Sequence, residues 1–87
     1  MTTINTSSFR NWLVDSYGLK TKSAGDAVSR LNRALNLQDA DSSLVASGQV
    51  DVFVSNLNSN SAFLSLPVSS QAGILRSLKL YRKFISR

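Results

Sequence analysis

The side chains in this sequence best equipped to act on another molecule are its cations. The closing stretch "GILRSLKLYRKFISR", residues 73–87, sets Arg76, Lys79, Arg82, Lys83 and Arg87 among aliphatics and two aromatics, and it contains no acid. Groups for proton transfer or covalent catalysis are scarce. The chain has no His and no Cys, so the commonest general base, the commonest metal ligand and the thiolate nucleophile are all missing. Glu is absent as well, and the acids are Asp15, Asp26, Asp39, Asp41 and Asp51. Without a His partner the serines cannot form a Ser triad. Tyr81 has no base beside it and reads as structural, and the chain carries neither a phosphate loop nor a dinucleotide fingerprint. What remains is electrostatic recognition, and the expectation is a non-catalytic chain with no cofactor and no metal.

Charge is unevenly placed along the 87 residues. The net charge is +5, yet residues 1–51 balance Arg10, Lys20, Lys22, Arg30 and Arg33 against the five aspartates, and residues 52–87 carry five cations with no acid. The whole excess therefore lies in the last segment. No run approaches the roughly 18 apolar residues of a membrane span. The start "MTTINTSSFRNW" lacks the charged and apolar runs of a secretory leader. A cytoplasmic chain off the membrane is the expectation, folded as a single domain over residues 1–87.

Helical periodicity supplies the scaffold. Phe9, Trp12, Leu13 and Tyr17 predict a first helix from about Ser8 to Tyr17, capped by Thr6 or Ser7 and stopped by Gly18. Ala24, Ala27, Val28, Leu31 and Leu35 predict a second from Lys22 to about Leu35, with Thr21 as its cap. In "DADSSLVASG" a short helical turn fits between a capping Asp41 and a terminating Gly48. "VDVFVSNL" alternates like a strand through Val50, Val52 and Val54 but also repeats like a helix through Val50, Phe53, Val54 and Leu57. The helical reading is preferred, because a lone strand would have no partner. "NLNSNS" reads as a loop, and "AFLSLP" as one helical turn stopped by Pro67. The last helix is expected from Ser69 or Ser70 to Ile85, with Ile74, Leu78, Tyr81 and Ile85 within roughly 60° of one another as its core stripe. Leu80 falls off that stripe, as an exposed leucine. The fold class that results is all-α, a compact bundle of four or five short helices.

On the same wheel Arg76, Lys79, Lys83 and Arg87 lie within roughly 80° of each other, opposite the stripe, with Arg82 flanking. Like charges on one helix face repel by a few tenths of a kcal/mol per pair, and no acid on that helix relieves them. A plain solvated face explains Lys83 and Arg87 through the helix dipole, but explains Arg76 and Lys79 less well. On the second helix Lys22, Arg30 and Arg33 oppose the apolar stripe, and Asp26 is spaced to pair with Arg30. Trp12 and Phe9 could stack on bases, yet both belong to the first helix's apolar stripe and read as core.

"SFRNWLVDSYGLKTKSAGDAVSRLNRAL" and "SLKLYRKFISR" resemble the first two helices and the last helix of the SAM-like, core-binding domain of tyrosine recombinases and integrases. Similar small helical domains precede nuclease domains in restriction-type proteins. In recombinases such a domain clamps duplex DNA, while a separate domain bearing Arg, His and a nucleophilic Tyr does the cutting. The present residues include no such second domain, so the resemblance implies DNA association without catalysis. The contacts it implies are Lys20, Lys22, Arg30 and Arg33 on the second helix, and Arg76, Lys79, Lys83 and Arg87 on the last. The alternative is a protein-interaction module, an adaptor or inhibitor of mobile-element or phage type that docks on an acidic surface.

Overall fold

Each apolar repeat in the chain can be satisfied only by packing against another. In the computed structural model, which describes residues 5–87, this happens through six α-helices and one 3-10 turn, with no strand among the described residues. The order is α1 (Thr6–Asp15), α2 (Thr21–Leu37), the 3-10 turn (Asp39–Asp41), α3 (Ser42–Ala46), α4 (Val50–Leu57), α5 (Ser61–Leu64) and α6 (Val68–Ile85). The all-α expectation holds. There are six helices instead of four or five, because the two short segments around Leu44 and Phe63 each close a helical turn of their own. One apolar cluster draws residues from every helix, from Phe9 and Leu13 through Leu31, Val45, Phe53 and Phe63 to Leu78.

Several boundaries differ from the sequence expectation for local reasons. Asn5, not Thr6 or Ser7, caps α1, its side-chain oxygen accepting from the Ser8 N–H at 3.0 Å. The helix ends at Asp15, and the chain reverses through Gly18 at φ +87°, where the Leu19 N–H reaches back to the Leu13 carbonyl at 2.8 Å. Tyr17 thus lies beyond α1 and off its core stripe, 40% exposed. Lys20, not Thr21, occupies the N-cap of α2, with no side-chain capping bond. Asp41 stands before α3 without capping it. Its carboxylate instead accepts from Gln38 Nε2 at 2.6 Å and from Asn56 Nδ2 at 3.2 Å. Gly48, at φ +88°, does end the α3 segment.

The helical reading of "VDVFVSNL" is the one observed: α4 buries Val50, Phe53 and Leu57, whereas Val52 is exposed, as no strand face would allow. Within the expected loop before α5, Asn60 does two jobs. Its Oδ1 accepts from the Phe63 N–H at 3.1 Å and caps α5. Its Nδ2 donates to the Leu37 carbonyl at 2.9 Å and to the Gln38 side chain, tying the end of α2 to the start of α5. Pro67 then releases the chain directly into α6 at Val68. No described helix is long and apolar enough to cross a membrane.

The α6 stripe is rotated from its expected position. Ile74, Ser77, Leu78, Leu80, Tyr81 and Phe84 are buried, and Ile85 is exposed. The narrow stripe of Ile74, Leu78, Tyr81 and Ile85 becomes an arc of about 160° that includes Leu80 and omits Ile85. The cause is the number of neighbours. Helix α2 covers α6 most extensively, α4 covers another side, and α1 adds aromatic contacts: Phe9 meets Tyr81 edge-on at 5.2 Å and Trp12 lies 5.6 Å from Phe84. Leu80 is enclosed from the α2 side, together with Leu19 and Ala27. Ile85, the last helical residue, extends past most of this cover. Phe9 is fully buried and Trp12 partly so, in keeping with their core reading.

Replacing Asn60 by Ala removes a cap and a bridge between helices, and we expect a loss of about 2 kcal/mol in urea unfolding monitored by helical circular dichroism. Asn60→Ser keeps a capping oxygen for the Phe63 N–H without the donor to Leu37, and its midpoint should fall between those of the parent and the alanine variant.

Candidate nucleic-acid interface

A cation can serve a shared site only if the helix carrying it lies beside another that presents the same charge. The α2–α6 pair does this. Across the contact Gly73 has no side chain, and Arg30 fills the space: its Nε sits 3.1 Å from where a Cβ on Gly73 would stand. The cleft between the two helices, about 270 Å³, is lined by Arg30 and Arg76, with Asp26 and Ser23 on the α2 side and Ser77 and Leu80 on the α6 side. Ser77 is buried without cost in unmet polarity, since its hydroxyl donates to the Ile74 carbonyl at 2.7 Å. A second groove, about 300 Å³, is bounded by Tyr17, Arg76, Lys79, Leu80 and Lys83. The two share Arg76 and Leu80, so Arg30, Arg76, Lys79 and Lys83 line one continuous surface.

All nine cations singled out from the sequence are exposed, but the remaining five are distributed differently. Arg82 is taken up by Asp51 of α4, at 3.1 Å, the only ion pair among the described residues. Both partners are more than half exposed, so this contact contributes at most about 1 kcal/mol, but it lowers the free charge on that flank. Arg87 folds back on its own helix: its Nε donates to the Phe84 carbonyl at 2.7 Å, and its guanidinium lies 4.2 Å from the centre of the Phe84 ring. It borders a groove that also contains Asp15, toward α1. Lys22 lies in a different groove, between α1 and α2, with Arg10 and Asp26. Lys20 at the α2 N-cap and Arg33 are exposed without an ion-pair partner. The Asp26–Arg30 pair allowed by their spacing does not form, because Arg30 turns toward the opening left by Gly73.

Two groove residues were not singled out by sequence reasoning: Tyr17, beside Arg76, Lys79 and Lys83, and Arg10, in the separate groove with Lys22. Tyr17 looked like core because it continues the α1 repeat, and only its place just before the helix-ending Gly18 signals otherwise. Lys83 Nζ sits 5.6 Å from the centre of its ring. Arg10 was counted as a charge but not as a groove residue, since nothing in its local pattern reports the neighbouring α2. No group of three acidic side chains among the described residues is arranged to hold a metal ion. Comparison with protein-family models, with curated proteins and with solved structures yields no match.

Tyr81 belongs to the packing, not to the surface. Burial pushes its phenol above the ordinary value of 10.0 by disfavouring the charged form. Folding therefore binds the Tyr81 proton more tightly than the unfolded chain does, so this contribution to stability is intact below pH 10 and is lost as pH rises through the raised value. Urea midpoints measured from neutral to alkaline pH should fall less steeply above pH 10 in Tyr81→Phe than in the parent.

Proposed function

We propose that this chain is a non-catalytic module that binds duplex DNA through the phosphate backbone, using the joined α2–α6 surface. The observation that carries the reading is the run Arg30, Arg76, Lys79 and Lys83 along two grooves that share a wall, with no carboxylate within 4.0 Å of any of the four. Such an arrangement costs self-repulsion in the free protein and is relieved by an anion that repeats along its length. Arg76 to Lys83 span about 10 Å of the α6 axis, and Arg30 extends the row from α2.

Binding of this kind is driven by counterion release. Each phosphate neutralised by Lys or Arg frees a condensed cation, and affinity drops as salt rises. Among the described residues, the two grooves hold no Asn or Gln to read adenine edges, and their cations are assigned to phosphates, so positioning dominates over sequence discrimination. The resemblance to the recombinase core-binding domain supports the same reading. A cysteine-free chain with such a partner suits the reducing cytoplasm.

The test is a mobility-shift titration of duplex DNA over a series of salt concentrations. Four phosphate contacts predict a slope of log affinity against log salt of about −4. Arg76→Ala with Lys79→Ala should reduce the slope by about 2 while helicity and melting stay near those of the parent, because both side chains are exposed. Binding that ignores salt, or a double variant with unchanged affinity, would overturn the reading and leave an acidic protein surface as the better partner for this face.

A further inference from the structure

Tyr17 is the only exposed aromatic side chain among the described residues. It is held in place by the turn at Gly18 and by contact with Trp12, whose ring centre lies 5.5 Å away at a 38° tilt. The groove it borders combines the aromatic ring, the edge of Leu80 and the three cations Arg76, Lys79 and Lys83, with no acid in its lining. A nucleotide is the ligand whose chemistry divides in this way. Its base has a flat face suited to an aromatic ring and an aliphatic wall, and its phosphate, one sugar away, suits guanidinium and ammonium groups.

Paired bases cannot use such a groove, because both faces of each are already stacked inside the duplex. We infer that the groove receives one unpaired nucleobase, stacked on Tyr17, and that the module therefore favours duplex DNA with a single-stranded end over blunt duplex. The free protein places Lys83 over the Tyr17 ring. A cation over an exposed ring is held more weakly than a stacked base, so the incoming base displaces Lys83, which then turns to the adjoining phosphate.

This inference rests on the proposed DNA binding, and the experiment separates the two. Trp12 is the sole tryptophan and lies against Tyr17, so its emission reports on the groove without any substitution. Blunt duplex and the same duplex with a short oligothymidylate tail are titrated at fixed salt, following Trp12 emission and mobility shift. The tailed duplex should bind about tenfold more tightly, as one stacking contact provides, and it alone should quench Trp12. Tyr17→Ala should erase the preference, bringing the ratio of tailed to blunt affinity within about twofold of one, and Tyr17→Phe should keep the preference. Equal affinity for the two duplexes with no quenching overturns the stacking site and leaves backbone binding standing. Absence of salt-sensitive binding to either duplex overturns both.

Discussion

The close contact between α2 and α6 is the constraint on which the rest of this structure depends. Small side chains line it: Ala27 on α2, and Gly73 and Ser77 on the facing part of α6. Short side chains let the helix backbones approach, and the larger Leu31, Ile74, Leu78 and Tyr81 fill the space to either side. Arg30 near Gly73 at one end, and Leu19 with Leu80 toward the other, indicate that the two helices run in opposite directions. The remaining helices cover what this pair leaves open, with α1 laying Phe9 and Trp12 on the aromatic end of α6 and α4 closing another side.

Charge placement follows from that contact. Once α6 turns Leu80 and Phe84 inward, its outward arc is centred near Lys79, with Lys83 and Arg76 together on one flank and Arg82 on the other, paired with Asp51 of α4. The acid on α4, Asp51, then meets Arg82 and no other cation of α6. On α2 the same contact draws Arg30 across Gly73 and so adds a fourth cation to a surface that α6 could not complete alone. The self-repulsion of these groups is tolerable because they are solvated and screened over roughly 8 Å at physiological salt. Under the proposed DNA binding, it is this self-repulsion that the phosphates would relieve.

Polar side chains at the opposite end of the molecule do a different kind of work. Gln38, Asp41, Asn56 and Asn60 form one hydrogen-bonded group that fastens the end of α2 to the 3-10 turn, α4 and α5. Short helices such as α3 and α5 are not stable by propensity. They persist because their ends are anchored and because Val45 and Phe63 are buried in the common core.

The all-α class, the existence of the long helices, the turn at Gly18 and the excess of charge near the end of the chain were all legible in the sequence. Each depends on local spacing, which one segment carries by itself. Caps were less legible, since Asn5 and Asn60 compete with neighbouring Ser and Thr that offer the same hydrogen bond. The width and rotation of the α6 core arc, the exposure of Tyr17, the neutralisation of Arg82 by Asp51 and the meeting of Arg30 with Arg76 were decided only in three dimensions. A helical wheel describes one helix in isolation. Which of its flanks is buried, and which charge is matched, is set by the helices that arrive beside it from distant parts of the chain.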